Sequence, residues 1–166
     1  LMYNVDEKLF INITSIKIPI VASFLDFWKK NLEEDIDEPE IEIGEVAYFF
    51  KKWSENNFNG VEEGYLLDLI KHFYSEVNIK DDKYLINIKY KKWDRRQIIY
   101  DSMELYKHNM NITTTCSCLS DAYKYYLSDE KNTLAISKHY FETIFKDLYK
   151  DYIDEDDVIK QSFFIS

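Results

Sequence analysis

The sequence predicts an α+β protein that is mostly helical and is built from two small modules. Its 166 residues are 46 % hydrophobic and 17 % aromatic, enough for one sizeable core or for two small ones packed together. It contains three glycines and two prolines, which argues against disorder and against a turn-rich all-β chain. Apolar residues recur at helical spacing along most of the chain and alternate, as in strands, over a few short stretches.

Hydropathy indicates a protein outside the membrane. No apolar run approaches the roughly 20 residues that a membrane helix needs. The first residues, "LMYNVDEKLF", lack the basic-then-apolar order of a secretion signal. We therefore expect a cytoplasmic location and no membrane partner. Because the chain begins at Leu1 rather than Met, we also expect it to be a fragment of a longer protein.

The first predicted element is a helix with one buried face. Pro19 suits its first turn, where the missing amide proton carries no penalty. Apolar residues then recur at helical spacing at Val21, Phe24, Leu25, Trp28 and Leu32.

An acidic run, "EEDIDEPEIEIGE", follows from Glu33 to Glu45 and gives the chain its uneven charge. Residues 1–88 hold nine Lys or Arg against eighteen Asp or Glu, whereas residues 89–166 hold twelve against thirteen, within a net charge of −10. The run contains eight acidic residues, no basic one, and Pro39 in its middle. Such a run predicts a solvated linker, and a metal or partner site is the alternative.

Two short amphipathic helices joined by a tight turn come next, behind a short strand predicted at the alternating "EIEI" of residues 40–43. The first helix ends at "NNFNG" and presents Val46, Phe49, Phe50 and Trp53 on one face. The second presents Leu66, Leu69, Ile70 and Phe73. The pair predicts a helix-turn-helix unit.

A β-hairpin is predicted over residues 77–90. Alternation in "VNIK" indicates one strand, "DDK" the turn, and a second strand alternates through Tyr84, Ile86, Ile88 and Tyr90. Strand, helix, helix and hairpin in this order predict a winged helix. Asp94 suits the N-cap of the following helix, with Gln97 three residues on, and that helix would bury Ile99, Met103 and Tyr106.

The last third predicts a second, smaller helix-turn-helix-like module. One short apolar stripe comprises Leu119, Ala122, Tyr123 and Tyr126, and a longer one comprises Phe141, Ile144, Phe145, Leu148 and Tyr152. Ser137 is the predicted N-cap of the longer helix, between the staple residues Ile136 and Phe141. The terminal "VIKQSFFIS" predicts a closing strand. We therefore assign residues 1–110 to the N-terminal helix, acidic linker and winged-helix module, and residues 111–166 to the second module.

Several segments together resemble the region that follows the ATPase in primase-helicases of large nucleocytoplasmic DNA viruses, of the poxvirus and giant-virus type. They are "IPIVASFLDFWKK", "GEVAYFFKKW", "LLDLIKHFY", "DDKYLINIKYKKWD", "CLSDAYKYYL" and "AISKHYFETIF", and they cover most of the chain. The resemblance implies a winged-helix-like accessory domain attached to a hexameric superfamily 3 helicase. It also implies an upstream helicase domain in the same chain, other replication proteins as partners, and a viral factory in an infected cell as the location.

Motifs for independent catalysis are missing from the sequence. With three glycines in total there is no phosphate-binding G-x-x-x-x-G-K-[ST] loop, so no ATP hydrolysis is expected. Cys116 and Cys118 are too close for an ordinary disulfide and lack a second cysteine pair for zinc, so we expect plain thiols. The three histidines, His72, His108 and His139, form no metal-binding motif. We predict a non-catalytic chain with no cofactor and no metal.

A basic segment, "KYKKWDRR", stands out against the acidic background, at the exit of the predicted hairpin. Lys89, Lys91, Lys92, Arg95 and Arg96 would contact DNA phosphates, and Tyr90 and Trp93 would stack on exposed bases. The structural alternative is that Trp93 belongs to the core and that the basic residues pair with the acidic run.

A second basic stripe follows the last long helix, where Lys138, Lys146 and Lys150 share one face with Glu142. It is either a further DNA contact or a solvated face with an intrahelical ion pair. By contrast, the predicted recognition helix, residues 61–75, directs Glu62, Glu63 and Asp68 outward, which would repel phosphates. We therefore expect weak, non-specific DNA binding by an accessory replication domain. The alternative is an acidic interaction module that docks to a replication partner or a neighbouring subunit.

Overall fold

The computed structural model describes residues 18–38, 40–55, 57–58, 61–110, 117–129, 131–132 and 134–165. Over these residues the protein is α+β and mostly helical, which confirms the predicted fold class. The chain divides into two compact units, unit 1 up to Lys92 and unit 2 from Trp93 onward. This division differs from the predicted boundary at residue 110, because the helix that begins at Arg95 packs with the later helices. None of the helices in the described ranges is long and apolar enough to cross a membrane.

Unit 1 alternates helices with short strands. Its elements are α1 (Ile18–Asn31), β1 (Leu32–Glu34), β2 (Ile41–Glu42), α2 (Ile43–Trp53), α3 (Glu63–Phe73), β3 (Asn78–Lys80), β4 (Tyr84–Ile86) and β5 (Ile88–Tyr90). The strands form an antiparallel sheet in the order β2-β4-β3 and a separate antiparallel pair, β1 with β5. In the register, Ile41 faces Leu85, Ile79 faces the same Leu85, and Leu32 faces Tyr90.

Aromatic rings fill the core of unit 1. Phe24 and Phe27 of α1 meet Phe49 and Phe50 of α2 edge-on, with ring centroids 5.2 Å apart for Phe27 and Phe49 and 5.4 Å apart for Phe24 and Phe50. The helical spacing of the sequence therefore indicates the correct faces of both helices. Phe27 is completely buried although the predicted stripe omits it, whereas the predicted Leu25 is half-buried.

The acidic run is part of the fold rather than a linker, so that prediction is wrong. Its residues supply β1, β2 and the first turn of α2, and the amide of Asp35 donates to the carbonyl of Asn87 at 2.8 Å. Ile41 and Ile43 are fully buried, which anchors the run despite its charge. Lysines of the hairpin region neutralise part of that charge through the pairs Lys89–Asp35, Lys80–Glu40 and Lys83–Glu42. Pro39 lies outside the described residues.

The hairpin is confirmed, but its second half changes phase. β3 and β4 pair around a turn in which Asp81 and Asp82 both have positive φ angles, 55° and 51°. Asn87 then adopts a left-handed φ of 59°, a conformation that asparagine tolerates better than most residues. Leu85 is buried before this kink and Ile88 and Tyr90 after it, so the alternation shifts by one residue.

Unit 2 is assembled in a similar order. Its elements are α4 (Arg95–Asn109), β6 (Ser117–Cys118), α5 (Leu119–Ser128), α6 (Lys138–Leu148), a 3-10 turn (Lys150–Tyr152), β7 (Val158–Ile159) and a second 3-10 turn (Gln161–Phe163). β6 pairs antiparallel with β7, with Ser117 opposite Ile159. Ile153 forms a separate antiparallel bridge with the same Ile159. The predicted closing strand is therefore limited to two residues, after which the chain turns and buries Phe163.

Both predicted helix caps of unit 2 lie where expected. Asp94 precedes α4, and its carboxylate accepts from the amide of Gln97 at 3.1 Å. Ser137 precedes α6 without a capping bond from its side chain, and the staple residues Ile136 and Phe141 are both fully buried. The segment between α5 and α6 is tied down by tyrosines, since Tyr123 donates to the carbonyl of Ile136 at 2.7 Å and Tyr126 donates to that of Leu134.

Candidate functional site

The first half of the basic segment lies in unit 1, where two of its lysines have partners. Lys89 is 3.2 Å from a carboxylate oxygen of Asp35, and Lys91 donates to the carbonyl of Lys29 at 2.6 Å. The hydrogen bond and charge of Asp35 raise the pKa of Lys89. Lys92 is exposed and forms no ion pair within the described part of the chain. Of the three predicted phosphate contacts here, Lys92 has the side chain that is most available.

Tyr90 is a core residue, which corrects its predicted role in base stacking. It is 3 % exposed, its ring packs edge-on against Phe49, and its hydroxyl donates to Glu45 at 2.7 Å. Glu45 is itself only 3 % exposed. The pair places a carboxylate inside unit 1 and holds it with the one tyrosine of β5.

The second half of the basic segment lies in unit 2, and its two arginines are both engaged. Arg95 is 2 % exposed, and its guanidinium carbon lies 3.5 Å from the centre of the Tyr140 ring. Arg96 is hydrogen-bonded to Asp147 of α6 at 2.5 Å. Arg95 is thus a structural residue and not the predicted phosphate contact. Trp93 is 37 % exposed, so the structure does not support the alternative that it is a core residue.

The basic stripe of α6 is exposed but only partly free. Lys138, His139, Thr143 and Lys146 all face outward. Lys146 pairs with Asp157 at 3.0 Å rather than with Glu142 of its own helix. Lys138 and the following Lys150 form no ion pair with any described residue. Within the described part of the chain, the stripe therefore offers two cations without an ion pair, Lys138 and Lys150.

The outer surface of α3 is acidic, as the sequence indicates. Glu62, at the N-cap, and Glu63 and Asp68, on the helix, are all exposed. An anionic surface at this position repels a phosphate backbone. The outer surface of α3 is therefore poorly suited to reading DNA.

The described thiol and imidazole side chains do not gather at a metal site. No group of three or more His, Cys, Asp or Glu side chains there is arranged to hold a metal ion. The Cys118 thiol, at the N-cap of α5, donates to Asp121 at 3.1 Å, and this bond lowers the pKa of Asp121. Cys116 lies outside the described residues.

A polar network in unit 2 was not predicted from the sequence. Glu104 pairs with Lys107 at 2.9 Å and accepts from the hydroxyl of Tyr149 at 3.0 Å. Burial opposes the charged form of Glu104, but these two partners outweigh it and its pKa falls below the usual range. Burial, followed by the neighbouring Glu104, raises the pKa of Tyr149. The i, i+3 spacing of Glu104 and Lys107 was the available signal, and the network stabilises α4 against the Tyr149 turn.

A groove of about 230 Å³ opens in unit 1 beside the kink between β4 and β5. The groove is lined by Glu34 and Ile36 of the acidic run, by residues 76–78, and by residues 86–88. Sequence reasoning missed it because it assigned the acidic run to a linker and did not anticipate the kink at Asn87. Ile36 is 82 % exposed, the most exposed large apolar side chain among the described residues.

Comparisons with protein-family models, with curated proteins and with solved structures found no match to this chain.

Proposed function

We propose that the chain is a non-catalytic accessory module of a viral replication primase-helicase, and that it acts by docking a protein partner. The parentage comes from the resemblance of its segments to that family. Docking, rather than DNA binding, becomes the leading activity because of what the basic segment does in each unit.

The topology supports a winged-helix reading of unit 1. After α1 and β1, the elements β2, α2, α3 and the hairpin of β3 and β4 follow one another, and β2 pairs with β4 to give the order β2-β4-β3. This part of unit 1 has the strand, helix, helix and hairpin order that predicts a winged helix, whereas β1 and β5 form a separate pair. One fold can carry either DNA binding or protein docking, so the charge and contacts of the surface residues must distinguish the two activities.

The main support for the proposal is that most side chains of the basic segment already interact with other residues of the protein. Lys89 and Arg96 pair with carboxylates, Lys91 caps the end of α1, and Arg95 is buried. Phosphate contacts by these side chains would require breaking existing interactions. Together with a net charge of −10 and an acidic α3, this favours a partner that is positively charged.

Weak, non-specific DNA binding remains the second candidate, and α6 is the surface that favours it. Lys138 and Lys150 extend from this helix and its end without an ion pair in the described part of unit 2. A surface with so few free cations would give the weak, salt-sensitive affinity of non-specific contacts.

Fluorescence anisotropy with labelled single- and double-stranded DNA separates the two activities. At about 150 mM salt the docking proposal predicts a Kd for DNA no tighter than about 100 µM, at the weak end of non-specific binding. Cross-linking of the chain within the replication assembly that contains it, followed by mass spectrometry, should then join the lysines of unit 1 to another protein.

The α6 surface provides the matched control. Substituting Lys138→Gln and Lys150→Gln should leave the protein cross-links of unit 1 unchanged. Micromolar DNA binding that this double variant abolishes would replace the docking proposal with the DNA-binding one. An absence of protein cross-links from unit 1 would also contradict docking.

A further inference from the structure

Six exposed lysines of unit 1 lie on three segments that meet at the end of α1. The last turns of α1 and α2 supply two each, and the residues directly after β5 supply the other two. They are Lys29, Lys30, Lys51, Lys52, Lys91 and Lys92, and we call them the lysine patch. Only Lys91 and Lys92 belong to the basic segment "KYKKWDRR".

Contacts between the three segments hold the lysine patch together. The Lys91 amine donates to the carbonyl of Lys29 at 2.6 Å, next to the pairing of β1 with β5. The Trp53 ring at the end of α2 packs edge-on against Phe27 of α1, with centroids 5.5 Å apart. The Lys30 amine lies 6.0 Å from the centre of the same Trp53 ring. The two helix ends and the chain after β5 therefore present their lysines at one place.

The lysine patch carries more positive charge than the acids near it neutralise. Lys30 pairs with Asp26 at 3.0 Å, and Glu55 is an exposed acid two residues beyond the end of α2. Glu33 of β1 lies opposite Lys89 of β5, outside the patch. Within the described residues, four of the six lysines are exposed and form no ion pair and no side-chain hydrogen bond or ring contact with an acid: Lys29, Lys51, Lys52 and Lys92.

Helix dipoles explain part of this arrangement. A cation in the last turn of a helix interacts favourably with the negative end of the dipole, which suits the lysines of α1 and α2. Lys91 and Lys92 lie after β5 and outside any helix, yet they meet the others. Because like charges that are brought together repel one another, a cluster of this kind indicates an anionic ligand.

Two features favour an acidic protein segment over nucleic acid as this ligand. The Trp53 ring contacts Phe27 and Lys30, and the Lys52 amine lies 5.3 Å from the centre of the Tyr48 ring. A base that stacked on either ring would have to displace these lysines. The net charge of −10 and the acidic α3 also repel a polyanion that is charged at every nucleotide more strongly than a short acidic segment.

We propose that the lysine patch binds a segment of a protein partner that is rich in Asp or Glu. Carboxylates of this segment would pair first with Lys29 and Lys92, whose amines have no ion pair with a described residue. The inference rests on the proposed docking function and adds a surface and the chemistry of its ligand. The acidic α3 would take a basic part of the partner, so unit 1 would dock through two surfaces of opposite charge.

Acetylated, amidated hexaglutamate tests the patch without knowledge of the natural partner. A Kd of about 0.1–1 mM is expected at about 20 mM salt, because each exposed charge pair contributes little. Amide chemical-shift changes in an NMR titration should centre on residues 29–32, 51–54 and 91–92, and they should shrink at about 200 mM salt. A carbodiimide, which joins lysine amines to carboxylates in direct contact, should couple the peptide mainly to the patch, as read by mass spectrometry.

Matched double variants show whether the patch supplies the affinity. Lys29→Gln with Lys92→Gln should weaken binding about three- to tenfold, as expected for two exposed charge pairs. Lys138→Gln with Lys150→Gln removes the same charge from α6 and its end, outside the patch, and should leave the affinity unchanged. All four lysines are exposed and have no ion pair in the described part of the chain, so both variants should fold like the parent.

Several results would overturn the patch proposal. They are equal binding of hexalysine, equal weakening by both double variants, or carbodiimide coupling spread evenly over the exposed lysines. Hexathymidylate that binds more tightly than hexaglutamate at the same salt, and that the Lys29 and Lys92 variant weakens, would assign the patch to phosphates instead. Self-association that this variant abolishes would assign it to an acidic surface of a second copy of the chain.

Failure of the patch can be told apart from failure of docking. If hexaglutamate does not bind while cross-links to a partner persist from other lysines of unit 1, docking stands and the patch proposal falls. If unit 1 forms no protein cross-links at all, the docking proposal falls, and the patch proposal falls with it.

Discussion

Units 1 and 2 share part of their element order, yet they bury ionisable groups of opposite sign, and α3 exposes carboxylates where α6 exposes lysines. In unit 1 the first strand of the sheet pairs with the last through Ile41 and Leu85, and in unit 2 it does so through Ser117 and Ile159. In unit 1, Ile79 of β3 pairs with Leu85 on the other side of β4. In unit 2, Ile153 forms a bridge with Ile159 on the other side of β7. The two units therefore share the pairing of the first and last strands of a sheet, and a single bridge at Ile153 stands in unit 2 where unit 1 has the strand β3.

The difference lies in the charges. Unit 1 buries the carboxylate of Glu45 beneath Tyr90, whereas unit 2 buries the guanidinium of Arg95 against Tyr140. On the outside, α3 of unit 1 is acidic and α6 of unit 2 carries lysines. One fold pattern thus supports two surfaces of different chemistry, because apolar spacing specifies the core while leaving the outward positions unconstrained.

The aromatic cores give the largest expected effects and test whether the two units are separate. Phe50→Ala in unit 1 and Phe145→Ala in unit 2 each remove a buried ring and should cost about 3–5 kcal/mol of unfolding free energy. Native-state hydrogen exchange should show the loss mainly in the unit that carries the substitution. Equal loss of protection in both units would show that they unfold as one cooperative block, and the comparison would then describe two halves of a single core.

The cores are also where the sequence predicts the fold best. The spacing of Val46, Phe49 and Phe50 identifies the buried face of α2, and the staple around Ser137 identifies the start of α6. These predictions succeed because helical periodicity and capping are local properties of the chain.

The failures concern partners that are distant in sequence. The acidic run resembles a linker in the sequence because the lysines that pair with it come 40 to 54 residues later, as with Asp35 and Lys89. Tyr90 and Arg95 resemble surface residues in the sequence because their partners, Glu45 and Tyr140, are equally remote along the chain. The groove could not be foreseen, since it depends on one left-handed residue, Asn87, in a stretch that otherwise alternates like a continuous strand.

Buried tyrosine hydroxyls give an intermediate effect, because the one in unit 1 bonds to a carboxyl group and the one in unit 2 bonds to a hydroxyl group. Tyr90→Phe removes a hydrogen bond to the buried Glu45, whereas Tyr106→Phe removes one to the hydroxyl of Ser117, also at 2.7 Å. Bonds to charged groups contribute about 1.5–3 kcal/mol and neutral ones about 0.5–1.5 kcal/mol, so Tyr90→Phe should be the more destabilising. Urea denaturation of both variants measures the difference. If the two losses are equal, Glu45 is not held as a carboxylate and the contrast between the interiors disappears.

The smallest expected effect concerns two aspartates, Asp35 in unit 1 and Asp121 in unit 2, whose pKa values both lie below the usual 3.8. The backbone amide of Asp37 is the main cause of the lowered pKa of Asp35, with Lys89 second, whereas the Cys118 thiol and then its amide lower that of Asp121. Each carboxylate is more acidic in the folded state than in the unfolded state. Each therefore contributes stability that is complete above about pH 4 and is lost as the pH falls through the lower, folded pKa.

NMR titration of the side-chain carboxyl carbons should show that Lys89→Gln raises the pKa of Asp35 only part of the way to 3.8, because the Asp37 amide remains, and leaves the pKa of Asp121 unchanged. Complete recovery of the Asp35 value in Lys89→Gln would mean that the lysine, rather than the turn at Asp37, lowers the pKa of Asp35.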